Sequence, residues 1–227
     1  VEKKQYNLCI KVLAKFHKAG LLKDIILIGS WALVFYKDYF SNITYRPSIR
    51  TRDIDLLIPN PLKIKKKVDI PELLKGDGFV VGFRGIQGYM ALEHPDLIIE
   101  FLVPELGRGT TKPYKLDKLA VNAQALRYLN FLTDKTIKVV VGTMTLKLPH
   151  PAYYALHKLI VSQKRKDAYK ADKDANAAID LLKALIRNKE TKDLQKAYKS
   201  APPKWQKLIL KTLTMRGENE LAELFSA

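Results

Sequence analysis

The chain has 227 residues, enough for one large domain or two modest ones, and its 47% apolar content excludes a disordered segment. Forty Lys and Arg stand against 23 Asp and Glu, a net charge of +17, so the favoured partners are polyanions (nucleotides, nucleic acid or anionic lipid), with a lysine surface kept only for solubility as the plainer reading. A single cysteine excludes an internal disulfide or a thiolate zinc cluster, and no apolar run reaches the roughly 20 residues of a membrane span; with no signal-peptide pattern at its start, the chain is expected in the cytoplasm.

Tyr6, Cys9, Ile10, Leu13 and Phe16 recur at helical spacing over residues 2–19, and Gly20 is a helix stop. Cys9 lies on the apolar face and is read as buried rather than reactive. Residues 25–28 are a short, wholly apolar strand that ends in Gly29-Ser30. A helix follows over residues 30–39, with Trp31 and residues 33–36 packing on a sheet. The free N–H groups and dipole at such a helix start attract phosphate. Residues 41–50 form a polar loop, and residues 54–58 a second strand. Asp53 and Asp55, two positions apart at its start, point to the same face. Carboxylates about 5–7 Å apart repel unless a cation sits between them, and Mg²⁺ suits two carboxylates with phosphate oxygens. Phosphate cradle and carboxylates together describe a nucleotide site. Arg50 and Arg52 flank it, as counter-charges or as phosphate ligands.

The charge run 63–67 reads as solvated surface, residues 73–74 as part of a short helix, and residues 79–83 and 89–92 as a hairpin around Gly85 and Gly88. Residues 96–103 form a strand with Glu100 at its centre. A mid-strand acid is costly if buried alone, so Glu100 either faces solvent or completes a metal site; Asp53 and Asp55 favour the second. Residues 104–118 read as a lid or linker, 121–132 as a helix, and 137–148 as a hairpin around Gly142-Thr143. From Pro151 onward only helical periods appear, over residues 151–163, 170–187, 191–199, 203–215 and 219–225. The expected organisation is α+β: an α/β domain over residues 1–118 with a mixed, largely antiparallel sheet, a connecting helix and hairpin over 119–150, and an α-helical domain over 151–227. Basic residues exceed acidic ones by 24 to 14 in residues 1–150 and by 16 to 9 in residues 151–227, so neither part is an isolated basic tail.

Lys158 and Arg165, seven positions apart, share a helix face, with Lys164 beside them. They form either a basic wall across a cleft from the carboxylates or a solvated face. Lys158 leans to the first, because it sits in the apolar run 156–161. His17, His94, His150 and His157 read as core or surface histidines; no His/Cys set has metal spacing, and no serine has the context of a hydrolase nucleophile.

The apolar strand, Gly29-Ser30, the helix, the strand bearing Asp53-Ile54-Asp55 and the later Glu100 resemble the DNA polymerase β-like, or minimal, nucleotidyltransferases over residues 20–103. The run L-H-K-L-I-V-S-Q-K-R, residues 156–165, resembles the first helix of the helical domain in a bacterial branch of that family, distantly similar to abortive-infection-type nucleotidyltransferase toxins. Two features depart from the pattern: Glu replaces the commoner Asp as third acid, and the gap before Asp53 is longer, which lengthens the loop over residues 41–52. The resemblance implies metal-dependent transfer of a nucleoside monophosphate from an NTP, such as ATP, to an acceptor hydroxyl, with release of pyrophosphate. It implies two Mg²⁺ (or Mn²⁺) ions on Asp53, Asp55 and Glu100, with Glu100 a metal ligand or proton acceptor. Gly29 and Ser30 would hold the β- and γ-phosphates, and Arg50, Arg52, Lys158, Lys164 and Arg165 would complete the nucleotide site. The alternative is a catalytically silent nucleotide- or nucleic-acid-binding protein; three unused carboxylates speak against it. A two-metal phosphatase or nuclease lacks a reason for Gly-Ser before a helix. Among acceptors, the net charge points to RNA, with a protein side chain or a small molecule as the other classes.

Overall fold

A computed structural model describes residues 2–45, 51–105, 107 and 109–226. By internal contact the chain divides into two units, Val1–Asp38 with Ser48–Pro149, and Tyr39–Pro47 with His150–Ala227. The first is α+β and the second helical.

In the first unit, helix α1 (Lys3–Lys18) buries Cys9, Leu13 and Phe16 of the predicted stripe together with Val12, while Tyr6 and Ile10 are half-buried. Its outer lysines reach across to acids elsewhere in the unit: Lys4 to Asp96 at 2.9 Å, and Lys11 and Lys15 to Asp77 at 2.8 and 2.6 Å. Strand β1 (Ile26–Ile28) leads directly into α2 (Gly29–Tyr39), which buries Trp31, Ala32, Leu33, Phe35 and Tyr36. Strand β2 (Asp53–Leu57) pairs antiparallel with β1 and parallel with β5 (Ile98–Pro104). A short helix α3 (Ile70–Lys75), capped by the Asp69 carboxylate, precedes the hairpin of β3 (Val80–Arg84) and β4 (Tyr89–Glu93). The sheet order is β1-β2-β5-β4-β3.

One face of this sheet is core. Ile54 and Leu56 of β2, Leu92 of β4, and Ile99, Phe101 and Val103 of β5 are all buried. Alternation sends Asp53, Asp55, Glu93 and Glu100 to the other face. That face is not polar throughout: Leu57 and Leu102, further along the same two strands, are buried as well.

Residues 121–132 depart from the predicted helix. They form strand β7 (Val121–Leu126) and a 3-10 turn, Leu129–Leu132. The segment V-N-A-Q-A-L alternates, with Val121 and Ala123 buried and Asn122 and Gln124 partly exposed. Ala120 and Tyr128, both at positive φ, bracket it and interrupt any helix. The second half of β5 offers an edge there, pairing Leu102, Val103 and Pro104 with Gln124, Ala125 and Leu126. This long-range ladder overrides the helical preference of Ala, Gln and Leu. Strand β6 (Tyr114–Leu116), in the stretch read as lid or linker, pairs with β7. The hairpin of β8 (Thr136–Val141) and β9 (Met144–Pro149) turns at Gly142 as its sequence predicts. Residues 119–149 thus belong by contact with the first unit.

The second unit is built on α4 (Pro151–Ser162), buried at nearly every position from Pro151 to Ile160. A helix apolar on all sides needs neighbours all round. It has them in α5 (Ala168–Arg187), α6 (Thr191–Ser200) and α7 (Pro203–Met215), with α8 (Asn219–Ser226) against α7. No helix among the described residues is long and apolar enough to cross a membrane.

Candidate active site

Asp55 meets the start of α2 at van der Waals contact. Gly29 has φ +66°, and a Cβ placed on it would lie 1.8 Å from Asp55 Oδ2. Only glycine satisfies both the left-handed backbone and the approach of the carboxylate. Ser30, partly exposed, follows as the second residue of the helix. The register sets Asp55 opposite Ile28 on one side and Glu100 on the other, with Asp53 opposite Ile98. Asp53 is exposed, while Asp55 and Glu100 are half-buried. The antiparallel pairing of β1 with β2 brings Gly29-Ser30 to Asp55, and the parallel pairing of β2 with β5 brings Asp53 and Asp55 to Glu100, residues that span more than seventy positions of sequence.

Glu100 has a partner that sequence reasoning missed. Arg84, at the end of β3, reaches over β4 and donates from Nη1 to Glu100 Oε1 at 2.8 Å and from Nε to Glu93 Oε1 at 3.3 Å. The residues it passes are small. Ala91 stands opposite Glu100, and at Gly82 a Cβ would fall 2.7 Å from the Glu93 carboxyl carbon. Burial works against the Arg84 charge, but Glu100 and Glu93, with Asp53 beyond them, outweigh it and raise its pKa above the ordinary arginine value. A signal for this was present in the hairpin: period-two alternation puts Gly82 and Arg84 on the face that also takes Glu93 and Glu100.

A cavity of about 240 Å³ opens beside this pair, lined by Arg84, Gln87, Tyr89, Glu100, Leu102 and Gln124. Asn122 of β7 fixes its surroundings. The Asn122 amide donates to Gly88 O at 3.0 Å and accepts from Met90 N–H at 2.8 Å.

The other predicted nucleotide ligands fall in different settings. Arg50 lies outside the described residues. Arg52 is exposed and donates from Nη2 to the carbonyl of His94 at 3.2 Å. Lys164 is exposed. Lys158 and Arg165 converge on one carboxylate: Lys158 Nζ lies 2.7 Å from Asp174 Oδ1, and Arg165 Nε lies 3.0 Å from Asp174 Oδ2. Burial pushes the Asp174 carboxyl up, but the two cations outweigh it and hold it below its ordinary value. Next to them His157 is buried with both ring nitrogens unpartnered. Burial first, then the charge of Lys158, pushes its pKa down to about 3, so it is neutral at physiological pH.

The donor chemistry of Asp53, Asp55 and Glu100 fits a hard divalent cation: oxygen ligands only, on adjacent strands. Their oxygens are not gathered as a tight triad; Glu100 is held by Arg84. Among the described residues, a tight set is made by His150, Glu190 and Asp193, whose ligand atoms lie within 4.8 Å of one another. Sequence spacing did not reveal it, because α6 brings Glu190 and Asp193 to a histidine forty positions earlier. His150 Nδ1 accepts the N–H of Ala152 at 3.2 Å, capping α4. That leaves the proton of a neutral ring on Nε2, the nitrogen facing Glu190 Oε2 at 3.8 Å, whereas a metal ligand needs that lone pair free. Tyr39, which donates to Glu190 Oε2 at 2.7 Å, completes an internal hydrogen-bonded network.

Among known families, the chain matches the one described as nucleotidyltransferase, over residues 7–203. No curated protein matches it. Among solved structures it is similar to an antigenic nucleotidyltransferase-like protein from Paracoccidioides brasiliensis, at 13% identity and a TM-score of 0.53, over 95% of this chain and 91% of that one. The antibiotic-resistance factor ANT(2'')-Ia is similar at 12% identity and a TM-score of 0.44, over 100% of this chain and 91% of that one. The same factor in complex with adenylyl-2''-tobramycin gives 12% identity and 0.46, over 99% and 96%.

Proposed function

The chain belongs to the nucleotidyltransferase family, and we propose that it moves a nucleoside monophosphate from an NTP to a hydroxyl of an RNA acceptor, releasing pyrophosphate. The observation that carries this reading is the Asp55 carboxylate, packed against Gly29 at the first turn of α2 and directly across from Glu100. An anion-binding helix start and a set of oxygen ligands share one corner of the sheet, and a metal-bound triphosphate calls for both.

Asp53, Asp55 and Glu100 would hold the divalent cations, two Mg²⁺ or Mn²⁺ in this reading. When bound, such ions neutralise the triphosphate and stabilise the attacking and leaving oxygens of an in-line displacement. The chain's own groups do the rest. The Ser30 hydroxyl and the N–H groups of the first turn of α2 hold the β- and γ-phosphates. The acceptor hydroxyl gives up its proton, to Glu100 where that carboxylate is not a metal ligand and otherwise to water, as its oxygen bonds to the α-phosphorus. The bond from the α-phosphorus to the bridging oxygen breaks, and pyrophosphate departs. The acceptor's hydroxyl-bearing end enters the cavity beside Glu100, where Tyr89, Gln87 and Gln124 offer a ring and two amides. Arg50, Arg52, Lys158, Lys164 and Arg165 are the proposed cations for the phosphates, Lys158 and Arg165 with part of their charge already engaged by Asp174. RNA is favoured as acceptor because the net charge of +17 is spread over the whole chain, whereas an NTP needs only a few cations in one place.

Incubation with each α-³²P-labelled NTP, Mg²⁺ or Mn²⁺, and total RNA or total protein tests this. The expected result is label on RNA that requires the metal. Label on protein or on a small molecule overturns the acceptor; no transfer of any label overturns the reaction.

A further inference from the structure

We propose that the exposed lysine rows of α6 and α7 form the surface on which the phosphate backbone of the RNA acceptor docks. This rests on the RNA-acceptor reading above. Lys192, Lys196 and Lys199 stand at i, i+4 and i+7 on α6, and Lys204, Lys207 and Lys211 at i, i+3 and i+7 on α7, so each trio shares one face of its helix. All six are exposed. The opposite faces are core: Leu194, Ala197 and Tyr198 on α6, and Ile209, Thr212 and Leu213 on α7. Both helices pack on α4, and the Thr212 hydroxyl bonds to the Leu159 carbonyl at 3.2 Å.

The sign pattern separates these rows from an ordinary solvated surface. From Thr191 to Gly217 there are seven basic residues and one acid, Asp193, whose carboxylate belongs with His150 and Glu190. No ion pair engages any of the six lysines among the described residues. On α5, in the same unit, the signs interleave as Lys170, Asp172, Lys173, Asp174, Asp180 and Lys183; Asp172 pairs with Arg216, and Asp174 with Lys158 and Arg165. Interleaving is what solubility alone asks of a helix surface. Lysines repeated at i+3 and i+4 repel one another, and a polyanion laid across them removes that repulsion. Successive lysines of a row rise by about 4.5–6 Å, so each row lies along several closely spaced phosphates of a strand.

An anionic bilayer is the rival polyanion. A helix that lies in a membrane interface presents an apolar face beside its basic one. Here the apolar faces are spent on α4, and the exposed large apolar residue of the pair is Met215, at the end of α7. The surface suits a phosphate chain rather than lipid tails.

Filter binding of the full chain to a mixed transfer-RNA pool, between about 50 and 200 mM salt, tests the dock. The variants are Lys192→Glu/Lys196→Glu/Lys199→Glu and Lys204→Glu/Lys207→Glu/Lys211→Glu. The control is Lys63→Glu/Lys65→Glu/Lys67→Glu, three exposed lysines of the first unit. Each row variant should weaken binding at least about tenfold and lower the salt slope by about three, with affinity for Mg²⁺-ATP and melting temperature unchanged. The control should lose less than about threefold. Equal losses in control and row variants overturn the dock and leave the RNA acceptor standing. Wild-type protein that binds no RNA overturns both. Phosphatidylserine vesicles that bind in place of RNA, through the same lysines, assign the surface to a membrane and overturn it too.

Discussion

Each unit contains a cluster in which acids meet cations, and the two are built oppositely. On the sheet, Glu93, Glu100 and, further off, Asp53 surround Arg84, with Asp55 across from Glu100, and the acids stay half-buried or exposed. Among the helices, Asp174 serves both Lys158 and Arg165, and its side chain is only 9% exposed. The acids of the sheet cluster stand where an external cation can reach them. The helical cluster is nearly closed on itself and sits over a neutral, buried histidine. Charge at an accessible face is free to take a ligand, whereas charge paired under cover holds the fold first and has only a remainder to offer a phosphate.

The largest effect should come from Asp55→Asn. It keeps the shape against Gly29 and removes a carboxylate proposed to hold the metal, so transfer should fall by about a thousandfold or more. Thermal stability should hold or rise, because one of several crowded anions is gone. An Asn variant with full activity would break the assignment of the sheet cluster to catalysis. Asp174→Ala should act the other way round. It strands Lys158 in the helical core, and the chemical denaturation midpoint should report a loss of about 3 kcal/mol. A fully stable Ala variant would return Asp174 to the surface class.

His157 sharpens the contrast through pH. Unfolded, it titrates near 6.5; folded, it is pushed down to about 3. Between those values the unfolded chain binds a proton that the folded chain refuses, so stability falls as pH drops. The slope should be about 1.4 kcal/mol per pH unit across that window, and His157→Leu should flatten it. Asp174, held below the ordinary carboxylate range, adds its own loss only below about pH 4, as pH falls toward its folded value. A denaturation series that shows no difference between His157→Leu and wild type would remove the histidine from this account. The smallest effect belongs to Arg84→Gln. Freed of its partner, Glu100 should bind Mn²⁺ more tightly, by at most about fivefold, since partly exposed ion pairs contribute roughly 0–1 kcal/mol. Weaker Mn²⁺ binding, read by titration calorimetry, would make Arg84 a support of the site rather than a competitor.

Much of the fold was legible because its signals are local. The stripe of α1, the apolar run into Gly29-Ser30, the glycines of both hairpins and the prolines that open α4 and α7 each declare an element within a few residues. The Asp53 and Asp55 pair was legible for the same reason, since alternation alone puts both on one face. What the sequence concealed depends on distant pairing. Residues 121–126 favour helix until β5 supplies an edge, and nothing near Val121 announces that edge. Arg84 looks like a surface residue after a strand until the register carries it over Ala91 to Glu100. Lys158 and Arg165 do not share a helix face, because α4 ends at Ser162 and Arg165 lies beyond it; what joins them is an acid from the next helix, Asp174.

Because Tyr39–Pro47 belongs with the residues that begin at His150, the helical unit is written in the gene in two pieces, with all of Ser48–Pro149 between them. The early piece is not ornamental. The Tyr39 hydroxyl bonds to Glu190, its ring meets His150 edge-on at 6.0 Å, and Phe40 packs against Tyr45. During synthesis Tyr39 leaves the ribosome long before Glu190 exists, so the bond between them can form only late. A recombination event with one breakpoint cannot transplant it whole: residues 150–227 moved alone leave Glu190 without its tyrosine. Two breakpoints are needed, which makes the helices a poor cassette.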